Sequence, residues 1–214
     1  MNRLPSLLRQ HIAALRGLLL FTVLTGIIYP VVMWGVSQGA FHNQANGSLV
    51  SYKGHVVGSS LLCQEFVNAK GDPLAQYFQP RPSNAVNADV KTDYGCDPGF
   101  SAASNLGPNN PTLVQLIKQR QKQYAAFNHV KISQIPPDAV TASGSGLDPD
   151  ISPQNADLQV NRVAAARHAS PSAVRALVNR FVQGRTLGFL GQPRVDVLTL
   201  NIALNQQFPP SGGQ

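Results

Sequence analysis

Apolar positions are spread very unevenly along this chain. Residues 17–36 are an unbroken uncharged run that includes Leu18-Leu19-Leu20-Phe21 and Val31-Val32-Met33-Trp34. That is about the length an α-helix needs to cross a hydrocarbon core of about 30 Å. Every later stretch is too polar to do the same, so the pattern predicts one transmembrane helix, assigned to 17–40, ahead of one water-facing domain. Within that domain three helices share one start signal, a polar cap followed by proline at the first helical position. Asn110-Pro111 opens a helix to about residue 127, with Leu113, Leu116, Ile117, Tyr124 and Phe127 as its apolar stripe. Ser152-Pro153 opens one to about residue 167, and Ser170-Pro171 one to about residue 182. Asn46-Gly47 is a turn signal before the apolar pair Leu49-Val50. Residues 55–63 read as a strand pair, or as a strand and a loop. Residues 194–198 alternate as a strand does, and 200–204 read as a short apolar helix or strand end. The chain therefore divides into a cytoplasmic segment 1–16, the helix 17–40, an exported α+β domain 41–208 and a flexible tail 209–214.

Charge gives the orientation. Arg3, Arg9 and Arg16 precede the run, and no charged residue follows it until Lys53. Arginines flanking a span stay in the cytoplasm, which puts the N-terminus inside and the domain outside. Tyr29 and Trp34 lie toward the outer end, where amphipathic rings favour the headgroup region. Ser37-Gln38-Gly39 offers small residues at a cleavable spacing. The run nevertheless exceeds the roughly 7–15 apolar residues of a signal peptide and reads as a retained anchor. Pro30 removes a backbone donor and is expected to bend the helix. Thr22 with Gly26, and Gly35 with Gly39, are spaced four apart, which permits close approach by another helix.

The whole chain holds 17 Lys+Arg against 10 Asp+Glu. All the acids follow the run, so the domain is only mildly basic, and an exported domain of this balance is not read as a nucleic-acid binder. Cys63 and Cys96 both fall in the exported part, where an oxidising compartment lets them pair. A bridge would stabilise by about 3–4 kcal/mol on the chain-entropy estimate.

The segment Val140-Thr141-Ala142-Ser143-Gly144-Ser145-Gly146-Leu147-Asp148-Pro149-Asp150 is the most unusual. Its small residues require a sharp turn or a close approach to another surface. It lacks the Gly-Lys-Ser/Thr of a phosphate loop, the ligand count of a calcium loop and the Gly-x-Ser-x-Gly frame of a hydrolase elbow. It reads as a capped helix entry with a structural turn. Arg162, Arg167, Arg175, Arg180 and Arg185 read as a solvated basic face on two helices. The five histidines are scattered with no i, i+4 pair, so no metal site is expected.

The order of several motifs carries a resemblance. They are Tyr29-Pro30, Asn46-Gly47-Ser48-Leu49, Gly58-Ser59-Ser60-Leu61-Leu62, Tyr77-Phe78 with Arg81-Pro82-Ser83, and Ser104-Asn105-Leu106-Gly107-Pro108. The 140–153 segment follows, then Arg162-Val163-Ala164 and Gly191-Gln192-Pro193. The chain resembles the C subunit of the Kdp-type potassium-transporting P-type ATPase over nearly its whole length. Cys63 and Cys96 depart from the family pattern and read as a local feature.

The resemblance implies an accessory, non-catalytic subunit of a bacterial inner-membrane complex for ATP-driven potassium import. Its partners would be a potassium-translocating channel-like subunit, an ATP-hydrolysing P-type subunit and a very small single-span subunit. The implied roles are assembly or stability of the complex and action as a catalytic chaperone that raises the pump's ATP affinity. Gln64, in a Leu-x-x-Gln-like setting, is the implied contact. The topology puts Gln64 outside and ATP inside, so the coupling is expected to be indirect, with ATP and potassium handled by the complex and no cofactor bound here. The candidate interface residues are Gln64, Arg81, Asn105, Ser143, Gly144, Gly146, Asp148 and Pro153, with Gly26, Pro30, Gly35 and Gly39 for helix packing. The alternative is an anchored or secreted periplasmic binding module, or a hydrolase using Ser143 or Ser145 with Asp148.

Overall fold

A computed structural model describes residues 5–87, 89 and 94–210. Arg3 and the end of the tail, 211–214, lie outside the described residues. The chain forms two compact units, 1–48 and 49–214.

The first unit is a helix that begins at Ser6 and ends at Ala40, 35 residues whose most apolar 18-residue stretch has a mean hydropathy of 2.0. At 1.5 Å per residue it is about 50 Å long, more than a hydrocarbon core requires. Its first stretch, α1 (Ser6–Val23), carries Arg9 and Arg16, so the helix starts well before the apolar run. The effect expected at Pro30 takes a definite form. The turn Leu24–Ile28 is a π-helix, and Tyr29 N–H donates back to Leu24 C=O. Pro30 follows in the first turn of α2 (Tyr29–Ala40). A widened turn next to a proline redistributes the backbone bonds that its missing N–H would leave open. Thr25 Oγ1 donates to Phe21 C=O at 2.6 Å and occupies another carbonyl in the same region. A short helix, α3 (His42–Ala45), completes the unit.

The second unit opens with the hairpin β1 (Leu49–Tyr52) and β2 (His55–Ser59), antiparallel. A long irregular stretch leads to α4 (Pro111–Asn128). The strand β3 (Asp150–Ile151), α5 (Pro153–Ala166) and α6 (Pro171–Phe181) follow. Last come β4 (Val195–Asp196) and α7 (Val197–Gln207). Strands β3 and β4 pair antiparallel, with Asp150 opposite Asp196. The three cap-and-proline helices start where the sequence places them. Asn110, Ser152 and Ser170 each accept a backbone N–H through the side chain.

The core lies among α5, α6 and α7 and is filled by Val160, Val163, Val174, Leu177, Leu200 and Leu204. Phe78, Ile151 and Val195 reach it from outside those helices.

Three expectations are corrected. The alternating run 194–198 is a strand only at Val195–Asp196. Asp196 then caps α7 by accepting from Thr199 N–H at 2.6 Å, so Val197 and Leu198 become its first turn. The stripe of Leu113, Leu116, Ile117, Tyr124 and Phe127 is only half-buried, because α4 lies at the edge of the core. The basic face is the largest change. Arg175, Arg180 and Arg185 are exposed, but Arg162 and Arg167 are 7% and 4% exposed. They turn inward because an irregular segment beside α5 presents carbonyls that no secondary structure satisfies.

Candidate functional site

The 140–153 segment is a junction. Gly146 has a φ of 74°, and a Cβ there would lie 2.6 Å from Ala102 C=O and 2.9 Å from Ala85 Cβ. Its carbonyl accepts from Ser83 Oγ at 2.7 Å, and its N–H donates to Ser143 Oγ at 2.8 Å. Next to it, Ser145 C=O accepts from Ala102 N–H at 2.9 Å, and Leu147 C=O from Cys63 N–H at 3.0 Å. Ser83 Oγ also accepts from Ala85 and Cys96 N–H. Four stretches remote in sequence thus converge on one turn. Asp148 accepts from Arg81 at 2.7 Å, and Pro153 begins α5 behind the Ser152 cap. Burial leaves Arg81 Nε without a partner among the described residues.

Ser143 Oγ is buried and accepts from Gly146, while the exposed Ser145 Oγ accepts from Leu147 N–H. His168 stands beyond the C-terminus of α5 and hydrogen-bonds neither serine among the described residues. These serines terminate backbone donors. Gly144 and Asn105 are exposed and stand apart from the junction's bonds. Among the described residues no cluster of metal-ligating side chains occurs.

Gln64 lines a cleft of about 630 Å³ bounded by Val56, Val57, Leu62, Glu65, Tyr94 and Asp97. Cys63 and Cys96, 33 residues apart, are joined by a disulfide in the wall of this cleft. No hydrogen bond is made by the Gln64 amide among the described residues. A Cβ at Gly58 would lie 3.1 Å from its Oε1 and 2.9 Å from Leu198 Cδ2, so the glycine lets β2 close on Gln64 and α7.

The polar set that the sequence reading missed surrounds the irregular segment 74–79. Arg162 donates to Ala75 C=O at 2.5 Å, Tyr77 C=O at 2.9 Å and Asn128 Oδ1 at 2.8 Å. Its guanidinium lies 4.3 Å from the Phe127 ring centroid. Burial lowers its pKa to about 10 against the opposing effect of Tyr124, and the same burial raises the Tyr124 hydroxyl. Arg167 donates to Gln76 C=O at 2.8 Å, Phe208 C=O at 2.9 Å and Asn205 Oδ1 at 2.8 Å. Gln159 pairs with the backbone of Gln79 through both amide atoms, and Asn201 does the same with Phe78. The available signal was spacing. Asn155, Gln159 and Arg162 fall at i, i+4 and i+7 of α5, one polar stripe on a helix whose other inward residues are apolar.

On the first unit, a Cβ added at Gly35 or Gly39 would meet nothing within 4 Å, and at Gly26 only Thr22 Cγ2 at 4.0 Å. These positions leave the side of the helix open.

The family described as "KdpC: K+-transporting ATPase, c chain" matches residues 11–206. The chain belongs to the KdpC family. The KdpC match reaches from α1 into α7 and so covers both compact units. A relative from Streptomyces avermitilis, named potassium-transporting ATPase KdpC subunit, is 45% identical over 96% of this chain and 97% of its own. One from Caulobacter vibrioides with the same name is 48% identical over 94% of this chain and 95% of its own. One from Mycobacterium tuberculosis, again so named, is 45% identical over 92% and 98%.

Proposed function

We propose that the chain is a non-catalytic accessory subunit of an ATP-driven potassium import complex in a bacterial inner membrane. Its N-terminus is cytoplasmic, and its α+β domain faces the periplasm over the outer mouth of the potassium-translocating subunit. One observation carries the reading: a 35-residue apolar helix with none of its apolar window buried stands on a chain of the K+-transporting ATPase c-chain family. A single helix encloses no transport path, so its contribution comes through partners. The open positions at Gly26, and separately at Gly35 with Gly39, suit close approach by helices of the translocating, P-type or small single-span subunit.

The domain raises the pump's ATP affinity without touching nucleotide. It binds one conformation of the complex more tightly than another, and that difference is felt at the cytoplasmic site by linkage. Gln64, Arg81, Asn105 and the 140–153 junction are the candidate contact and scaffold residues of this role.

The test removes everything after residue 48 while keeping the anchor, in cells expressing the rest of the complex. Recovery of the complex and its potassium-stimulated ATPase activity are then measured, together with the KM for ATP. Loss of assembly, or a raised KM, supports the proposal. Full activity with an unchanged KM rejects it.

A further inference from the structure

The cleft beside Gln64 has the build of a small-molecule site. Its volume of about 630 Å³ falls within the range of such sites, roughly 300–1,000 Å³. Much of its wall is apolar, including Val57, Leu62, Val67 and Val56, the last 61% exposed. Its charged groups are of one sign. Glu65 and Asp97 line it, and among the described residues no lysine, arginine or histidine does. That runs against the chain as a whole, with 17 Lys+Arg to 10 Asp+Glu.

Covalent structure brings the two carboxylates to one wall. Glu65 lies two residues beyond Cys63 and Asp97 one beyond Cys96, and the disulfide sets the cysteine Cα atoms 5.4 Å apart. Gly95, with a φ of 150°, lets Glu65 rest against the segment that carries Asp97, since a Cβ there would overlap Glu65 Oε1. Asp97 Oδ1 accepts from Gly99 N–H at 2.8 Å, and the side chain has no ion pair among the described residues. Tyr94 lines the same wall and is fixed there. Its hydroxyl donates to Ala69 C=O at 3.0 Å, and its ring packs on Gly71, where a Cβ would lie 2.6 Å from Cδ1. Gln64 Oε1 adds an acceptor that no donor among the described residues occupies. A cleft with apolar walls and one sign of charge concentrates ligands of the opposite sign.

We propose that this cleft binds an ammonium group carried on an apolar stem. The carboxylates and Gln64 Oε1 accept its N–H bonds, the face of the Tyr94 ring attracts its charge, and Val56, Leu62 and Val67 cover the stem. Potassium is selected by shells of oxygen ligands, which a largely apolar wall does not supply. A phosphate-bearing ligand would meet two carboxylates and no cationic side chain, in keeping with a domain that acts on ATP affinity without touching nucleotide. The ammonium has two possible sources of one chemistry, a free alkyl amine or a lysine of a partner subunit. The site belongs to the domain alone, so its failure leaves the accessory reading standing.

The experiment places the full-length chain in nanodiscs of zwitterionic lipid and titrates n-butylammonium, with binding read by saturation-transfer NMR against empty nanodiscs. Butyrate, similar in length and opposite in charge, is titrated in parallel. Saturable transfer to n-butylammonium and none to butyrate is expected. E65Q/D97N is expected to weaken binding about tenfold, as for two partly exposed charge contacts, with its melting temperature unchanged. Equal binding of the two ions, no saturable binding, undiminished binding by the folded variant, or displacement by potassium chloride where sodium chloride has no effect overturns the site. Should the variant not fold, the comparison of the two ions on the native chain decides. The purified complex then separates the sources. Binding retained there assigns the site to a free amine. Binding lost there, with a partner's lysine joined to Glu65 or Asp97 by a zero-length carbodiimide cross-link, assigns it to that lysine. Loss without the cross-link overturns the proposal.

Discussion

Arg162 is buried against carbonyls and amides, with no carboxylate among its hydrogen-bond partners. Removing the guanidinium leaves the carbonyls of Ala75 and Tyr77 without their donor and the buried Asn128 without its partner. Bonds to a charged group are worth about 1.5–3 kcal/mol each, and the set is not additive. R162M is expected to destabilise the domain by about 3 kcal/mol in denaturant titration. R175M, whose guanidinium sits in an exposed pair with Asp157, should change stability by under about 1 kcal/mol. Equal effects would mean that burial does not distinguish these arginines. In the sequence only the spacing of Arg162 with Asn155 and Gln159 sets it apart, because what draws it inward is a carbonyl-rich segment more than 80 residues away.

Among the elements, helix starts were the most legible, because a cap and a proline act on their own backbone within one turn. The end of the chain was less so, since alternation at 194–198 carries a strand's pattern while Asp196 and Thr199 carry a helix start, and the cap prevails after two residues. The short pair β3–β4 has a pH signature. Asp150 and Asp196 face each other in register, and burial is the first cause raising the pKa of each. Above the ordinary value of 3.8, and up to the folded-state values, the folded chain holds protons that the unfolded chain has released. Their contribution to stability is therefore complete below 3.8 and is lost as pH rises through the folded values. D196N keeps an acceptor for Thr199 and should flatten that decline in melting temperature between acid and neutral pH. An unchanged slope would remove Asp196 from the account. The 140–153 junction was legible as a turn, but the convergence of residues 63, 83, 85 and 102 on it was not, since small residues show that something comes close without showing what. G146A should cost about 2 kcal/mol, and G144A, with open space around it, close to nothing. Thermal denaturation of the two variants reads the difference.

For the whole molecule, the two-part organisation was plain from hydropathy alone, since nothing in the second unit rivals the apolar density of the first. The core of that second unit was not, because it mixes helices from the C-terminal half with one aromatic ring, Phe78, from the irregular first half. Phe78 is held by Asn201 through both backbone atoms, 123 residues later. A ribosome adding about 5–20 residues each second takes roughly 6–25 s to cover that interval. For the first part of that time the nascent chain carries the carbonyls of residues 74–79 without the α5 donors Gln159 and Arg162, and for all of it Phe78 lacks Asn201. Such a topology has high contact order and cannot fold in segments from its N-terminus. The apolar helix is thus made first and the domain's closing contacts last, so a chain that ends before α7 lacks the Asn201 bonds that hold Phe78. The final helix therefore closes the core from the far end of the chain, and without it the segment around Phe78 is uncovered.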